Sequence, residues 1–191
     1  MTLANKITSG RFVLAVVFLA LLGWGGARRD PRLLTWAFVL FQAAAWSDLL
    51  DGYLARKYGE VTHFGRIADP LVDKILVCGA FIFFLTIEPL NRIFSAWFAV
   101  AVLGREFLVS GIRGAAEAAG IPFPASAWGK IKTFIQNVAV GWGVGHAAWL
   151  PNAGWSTAAL TALMWGTLAA TVISGATYAM NARRLLGSER V

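Results

Sequence analysis

Six long apolar stretches, separated by short polar or Pro- and Gly-containing segments, dominate the chain. Each is close to the ~20 residues that an α-helix needs to cross the hydrocarbon core of a bilayer. The breaks between them hold residues that end helices or favour turns. The pattern therefore predicts an all-α, polytopic membrane protein whose residues 1–191 form a single domain with six transmembrane helices. The predicted spans are residues 7–27, 33–56, 70–87, 93–112, 128–149 and 155–180.

The same pattern makes predictions about the ends of the helices. Pro70 is predicted in the first turn of the third helix, where its missing N–H costs nothing. Residues 113–126 are predicted to form a loop or a surface helix, because Gly and Pro residues interrupt them. Residues 181–191 are predicted to form a polar, basic tail. His146 is predicted to lie at the membrane interface.

The composition supports a membrane protein. The chain is 58% hydrophobic and 14% charged, whereas soluble domains are about 45–50% apolar and about 25% charged. The formal net charge is +7. Because the basic residues lie at the ends of the apolar stretches, this excess favours contact with the lipid bilayer and predicts no nucleic-acid partner.

Four aspartates are the most costly charges in this apolar sequence. Asp48 and Asp51 are three residues apart, and Asp69 and Asp73 are four apart. Both spacings place two carboxylates on one face of a helix. Carboxylates without neighbouring His or Cys residues favour hard divalent cations. The sequence therefore predicts one or two Mg²⁺ or Mn²⁺ ions that hold a phosphorylated substrate.

The distribution of Lys and Arg predicts the orientation. With a cytoplasmic N-terminus, most of these residues fall on the cytoplasmic side, as the positive-inside rule requires. Both termini and the aspartates then lie at the cytoplasmic face. A cation transporter is an alternative, but it predicts acidic residues spread through the membrane depth, whereas these gather at one face. The basic residues left outside are Arg28, Arg29, Arg32 and Arg92.

Two residues beside the first pair of aspartates suggest a ligand. Gly52 is predicted within a helix, where glycine is unfavourable by ~1 kcal/mol relative to alanine. It permits either a ligand near the backbone or close helix packing, and the neighbouring aspartates favour the ligand. Arg56 lies near the same helical face. It can bind phosphate, pair with an aspartate or extend to the membrane interface.

The spacing D-x2-D-G-x2-A-R-x8-G-x3-D-x3-D resembles the CDP-alcohol phosphotransferase family. The resemblance implies an enzyme of the inner (cytoplasmic) membrane that transfers a phosphatidyl group from CDP-diacylglycerol to an alcohol and releases CMP. It also implies a homodimer whose active site faces the cytoplasm. The matching residues are Asp48, Asp51, Gly52, Ala55, Arg56, Gly65, Asp69 and Asp73.

The resemblance also implies a role for each of these residues. Asp73 is implied to be the base that accepts the proton of the acceptor hydroxyl, although the spacing alone leaves open which aspartate does so. The implied metal ligands are Asp48, Asp51, Asp69 and Asp73. The implied CDP-binding residues are Gly52, Arg56 and Gly65, together with Asn5 and Thr8 of an N-x-x-T-x-x-R stretch at residues 5–11.

Further stretches bear on the acceptor alcohol. Residues 5–11, 104–113 and 129–133 resemble the branch of the family that uses glycerol 3-phosphate. The resemblance leaves inositol phosphate, serine and phosphatidylglycerol as alternative acceptors. Glycerol 3-phosphate is a dianion near neutral pH, so it needs cations. The candidate acceptor-phosphate residues are Arg105, Arg113, Lys130 and Lys132.

Some of these cations have other interpretations. Lys130 and Lys132 also fit anchoring at the cytoplasmic face. Arg105 also fits an internal ion pair with Glu106, because charges inside a membrane usually pair.

Overall fold

The computed structural model of the chain consists of six α-helices, with no strand in the ranges it describes. It describes the backbone of residues 3–58, 63–120 and 127–187, and the side chains of residues 9–47, 70–120 and 127–182. The all-α prediction is confirmed. The helices are α1 (Leu3–Arg28), α2 (Pro31–Tyr58), α3 (His63–Phe84), α4 (Ala96–Ala118), α5 (Ala127–Trp149) and α6 (Gly154–Gly187), with a short 3-10 helix at Leu90–Arg92.

The helices pack as a closed ring. α1 contacts α2 and α3, α2 contacts α5, α5 contacts α6, α6 contacts α4, and α4 returns to α3. The turns after α1, α3 and α5 meet at one end of the bundle, where Arg29 pairs with Glu88 and Trp149 Nε1 donates to Thr35 Oγ1 over 3.0 Å. We call this the turn end. The opposite end, which carries Asp73 and the last turns of α4, is the aspartate end.

Aromatic rings fill the turn end between α3 and α4. Their centroids lie 5.0 to 5.9 Å apart in tilted and edge-to-face pairs, geometries that aromatic rings prefer. A Cβ at Gly143 of α5 would lie 2.5 Å from the Phe84 ring, so α5 reaches this cluster only with glycine at that position. The rings belong to Phe81, Phe84, Phe94 and Phe98.

The third helix begins before its apolar stretch. Pro70 was predicted in the first turn, but α3 starts at His63 and Pro70 lies inside it, so this prediction is wrong. Proline has no N–H, so the carbonyl four residues earlier loses its backbone donor. The polar residues before Pro70 are helical because a helix pairs its backbone groups whether or not its side chains are apolar. For the same reason α6 continues to Gly187, into the predicted polar tail.

The predicted limits of the fourth helix are also wrong. It begins at Ala96 because Ser95 caps it, with Ser95 Oγ accepting a hydrogen bond from the Phe98 N–H over 3.3 Å. It continues to Ala118, so the start of residues 113–126, which were predicted as a loop or a surface helix, is helical and continues α4. Gly120 follows with φ +71°, a conformation that favours glycine.

His146 is buried rather than interfacial. Its side chain is 1% exposed, and its Nδ1 lies 2.8 Å from Ser156 Oγ. The prediction is wrong because this face of α5 packs against the start of α6. The Ser156 hydroxyl gives Nδ1 a hydrogen-bond partner inside the bundle, while Nε2 has none among the described contacts.

Two helices in the described part of the chain are long and apolar enough to cross a membrane, judged by length and composition. They are Ser9–Arg28 of α1 and Gly154–Ala182 of α6. Helices α3, α4 and α5 each carry charged residues within their described lengths. Those charges lower the hydropathy of these helices, and most of them line one cavity.

Candidate active site

A cavity of ≈ 1320 Å³ opens between α2, α4, α5 and α6, with the start of the described part of α3 on its wall. Ligand sites are commonly concave and about 300–1,000 Å³ in volume, so this one can hold a sizeable substrate. Toward the turn end its wall is mainly apolar and includes Phe38, Trp142 and Trp149. At the aspartate end the wall is charged. The charged residues are Asp73, Lys74, Arg105, Glu106, Arg113, Glu117, Lys130 and Lys132.

Asp73 lies on the wall of this cavity, on α3. Its side chain is half-buried, and it also borders a smaller cavity together with Arg11 of α1 and Asn137 of α5. Arg11 is buried. Residues of α1, α2, α3 and α5 surround the smaller cavity, and Asp73 borders both cavities. A general base needs such a place, within reach of a bound substrate.

Glu106 of α4 joins two of the predicted acceptor residues. Its Oε1 accepts from Lys132 Nζ of α5, and from Arg105 Nη1 over 3.3 Å. Glu106 and Lys132 are only 9% and 4% exposed, so neither charge is left to water. Charges removed from water need partners of opposite sign. The Arg105–Glu106 ion pair considered from the sequence is present, and Lys132 shares it.

Tyr178 of α6 contacts the guanidinium groups of both Arg105 and Arg113. Arg113 Nη2 donates to Tyr178 Oη over 2.6 Å. The guanidinium carbons of Arg105 and Arg113 each lie 5.4 Å from the centre of the Tyr178 ring. Arg105 Nη2 also donates to Ser174 Oγ of α6. The structure thus brings Arg105, Arg113 and Lys132 together between α4, α5 and α6.

Lys74 and Lys130 complete the positive side of the cavity. Lys74 Nζ donates to Ser110 Oγ, whose hydroxyl donates to the Glu106 carbonyl over 2.6 Å. This chain of contacts ties α3, beside Asp73, to α4. Lys130 is exposed on the cavity wall. The cations around the cavity outnumber its described acids, so its electrostatic character favours an anionic ligand.

Several predicted site residues have side chains outside the described residues. Their backbone belongs to helices α1, α2 and α3, and α1 packs against both of the others. The predicted CDP site and most of the predicted metal ligands therefore stay predictions. These residues are Asn5, Thr8, Asp48, Asp51, Gly52, Arg56, Gly65 and Asp69.

Among the described side chains, no group of three His, Cys, Asp or Glu residues could hold a metal ion. Of the four predicted ligands, Asp73 is described, and its half-buried carboxylate on the cavity wall is the hard oxygen ligand that Mg²⁺ or Mn²⁺ prefers. The described part of the site therefore offers one carboxylate to such an ion, and the other three ligands stay predictions.

Sequence reasoning missed Tyr178 and Asn137. A signal for Tyr178 exists in α6, where Thr167, Thr171 and Ser174 precede it at helical spacings of three and four residues. All four are buried. A polar stripe on an otherwise apolar membrane helix predicts a face directed at protein rather than lipid. A shorter signal for Asn137 exists in α5, where Lys130 and Thr133 precede it at spacings of three and four residues.

An all-helical bundle whose cavity joins a carboxylate to a cluster of cations suits an enzyme that handles phosphorylated substrates. Residues 1–173 match the family model of CDP-alcohol phosphatidyltransferase. The chain belongs to this family. The family predicted from the aspartate motif is therefore confirmed.

The chain is also similar to several named members of the family. The chain is 38% identical over 189 residues to a protein of Mycobacterium tuberculosis named probable phosphatidylglycerophosphate synthase, covering 98% of this chain and 85% of that one. It is 36% identical over 146 residues to the CDP-diacylglycerol–glycerol-3-phosphate 3-phosphatidyltransferase of Bacillus subtilis, covering 72% of this chain and 74% of that one. A Rickettsia felis protein of the same name is 39% identical over 102 residues, 53% of this chain and 54% of its own length.

Proposed function

We propose that this chain transfers the phosphatidyl group of CDP-diacylglycerol to sn-glycerol 3-phosphate, giving phosphatidylglycerol phosphate and CMP. The observation that carries the proposal is one cavity in which the carboxylate of Asp73 shares the wall with the cluster of Arg105, Arg113 and Lys132. The acceptor half of this reaction needs a base and a binding site for a phosphate dianion. The names of the Mycobacterium tuberculosis and Bacillus subtilis relatives support the same reaction.

Asp73 acts as the base in this proposal. A hydroxyl oxygen of glycerol 3-phosphate attacks the phosphorus that carries the diacylglycerol. A new P–O bond forms, the P–O bond to the CMP phosphate breaks, and the hydroxyl proton passes to the Asp73 carboxylate. Positioned general bases typically contribute 10²–10⁴-fold to the rate.

A divalent ion, Mg²⁺ or Mn²⁺, would supply positive charge opposite the pyrophosphate of the lipid. Asp48, Asp51, Asp69 and Asp73 are proposed to hold one or two such ions. The other residues of the donor site are proposed to hold the CDP group, with glycines permitting close approach and the arginine binding phosphate. They are Asn5, Thr8, Gly52, Arg56 and Gly65.

The acceptor phosphate is proposed to bind Arg113 and Lys130, with Arg105 and Lys132 beside them. Glu106 offsets part of the charge of the two buried cations. The cluster keeps an excess of positive charge for a dianion, and Arg side chains can contact two phosphate oxygens at once.

The proposal extends to the membrane. All six helices would cross the inner membrane, with both termini and the aspartate end in the cytoplasm, where a water-soluble acceptor and a lipid head group can meet. The apolar part of the cavity, which is lined by Phe38, Trp142 and Trp149, would then lie at the depth of the bilayer. A homodimer is also proposed. Gly143 does not identify its interface, because it packs against Phe84 within the chain.

The test is a panel of acceptors supplied to the purified protein with CDP-diacylglycerol and Mg²⁺. We expect CMP release with glycerol 3-phosphate, and its loss on chelation of the metal. Serine, inositol phosphate and phosphatidylglycerol are the matched alternatives, each assayed at the same concentration. CMP release that requires inositol phosphate instead would show that the acceptor is wrong while the phosphotransfer is right.

A further inference from the structure

Arg105 and Arg113 contact the same residue although their positions on α4 are far apart. Eight residues separate them, which is about 12 Å along a helix at 1.5 Å per residue. Like charges repel each other, so two arginines that share a contact need a partner that attracts both. A single residue of another helix, Tyr178 of α6, contacts both guanidinium groups.

We propose that Tyr178 is a positioning residue that orients Arg105 and Arg113 in the binding site of the acceptor phosphate. This inference rests on the proposed function and adds a residue of α6 to that site. Tyr178 is 2% exposed, so its ring is fixed by packing rather than free to follow the arginines.

The contacts of Tyr178 divide between its hydroxyl and its ring. The hydroxyl oxygen accepts the 2.6 Å hydrogen bond from Arg113 Nη2, which sets the direction of that guanidinium. The ring lies 5.4 Å from the guanidinium carbons of both arginines, within the range at which a cation is attracted to an aromatic face. The hydroxyl therefore orients one arginine, and the ring draws both toward α6.

Arg105 is held from its other side as well. Its Nη1 donates to Glu106 Oε1 over 3.3 Å and its Nη2 donates to Ser174 Oγ. Arg113 has the Tyr178 hydroxyl as its described polar contact. A guanidinium has five N–H donors, so this hydrogen bond orients Arg113 while leaving other donors for phosphate oxygens. Loss of the hydroxyl should therefore affect Arg113 most.

The experiment measures steady-state kinetics of Tyr178→Phe in membranes, so that a variant unstable in detergent is still tested. The substitution keeps the ring and removes the hydroxyl. We expect the KM for glycerol 3-phosphate to rise about tenfold. A rise of this size corresponds to the loss of binding free energy expected when one hydrogen bond to a charged group is removed. The KM for CDP-diacylglycerol and kcat should stay within about twofold. Tyr178→Leu, which also removes the ring, should raise the acceptor KM further.

The matched control is Thr177→Val, which removes a hydroxyl from the neighbouring residue. Thr177 Oγ1 donates only to the Ser174 carbonyl of its own helix, over 2.9 Å, in the described contacts. Both KM values of this variant should match those of the wild type.

A double-mutant cycle separates positioning from general damage. In an Arg113→Lys background the hydroxyl has no guanidinium to orient, so Tyr178→Phe should change the acceptor KM less than it does in the wild type. Equal rises in both KM values, an unchanged acceptor KM, or full additivity with Arg113→Lys would overturn the role of Tyr178. Wild-type protein that releases CMP only with another acceptor would instead overturn the proposed function, so the two failures are distinct.

Discussion

Two regions along α3 and α4, the aromatic cluster at the turn end and the charged cavity wall at the aspartate end, differ in how their interiors are filled. At the turn end, Phe81 and Phe84 of α3 meet Phe98 of α4 in a closed aromatic cluster. At the aspartate end, α3 and α4 present Asp73 and Arg113 to an open cavity. Dense packing contributes stability, while an open site with paired charges serves binding. We infer that the turn end fixes the helices so that the aspartate end can stay open.

The largest expected effect comes from the base at the aspartate end. Asp73→Asn removes the proton acceptor but keeps the size of the side chain, so kcat should fall about 10²–10⁴-fold. Binding of CDP-diacylglycerol should remain measurable, and kcat is compared at temperatures below the thermal midpoint of the variant in detergent, where it is folded. CMP release and thermal unfolding are the two measurements.

The control for this charge removal lies at the other end. Asp30 Oδ1 accepts from the Arg32 N–H over 2.8 Å at the start of α2, and asparagine caps helices equally well. Asp30→Asn should therefore leave both kcat and stability unchanged. Substantial turnover by Asp73→Asn would exclude Asp73 as the base.

The second effect tests the turn end through stability. Phe81→Ala removes a ring that is fully buried among three others. We expect the free energy of unfolding to fall by about 3 kcal/mol. This value is at the low end of the range for soluble cores, because the substitution leaves a cavity but no side chain returns to water. That corresponds to a thermal midpoint lower by roughly 6–12 °C. The kcat of the protein that remains folded should be nearly normal.

Ile82→Ala is the matched variant, because Ile82 is the next residue of α3 and is 47% exposed. Its thermal midpoint should change little. If Phe81→Ala lowered kcat as strongly as Asp73→Asn at temperatures where it is folded, the two ends would not be separable.

The smallest effect concerns an exposed cation of the cavity. Lys130→Ala should raise the KM for glycerol 3-phosphate about three- to fivefold, since an exposed charge contributes at most about 1 kcal/mol. The KM for CDP-diacylglycerol should change less. Arg32→Ala, an exposed cation at the turn end, should change neither. Equal changes in both KM values for Lys130→Ala would remove its role at the acceptor.

Much of the fold was predictable because long apolar stretches bounded by Gly, Pro and polar residues indicate where helices begin and end. All six helices were placed, and α5 matches its predicted span of 128–149 to within one residue at the start. The ends were less predictable where polar residues remain helical, as before Pro70 and beyond Ala118. Caps such as Ser95 act through a local hydrogen bond that hydropathy does not register.

The sequence by itself determined the family, because the spacing of the aspartates from Asp48 to Asp73 is a property of the chain. It also supplied the candidate cations for an acceptor phosphate, which are Arg105, Arg113, Lys130 and Lys132. The tertiary structure decided the partners. That Lys132 shares Glu106 with Arg105, and that Tyr178 joins Arg105 to Arg113, depends on which faces of α4, α5 and α6 meet. In a chain this apolar, most helix faces are similar in hydropathy, so periodicity alone does not fix the rotation of each helix, and packing does.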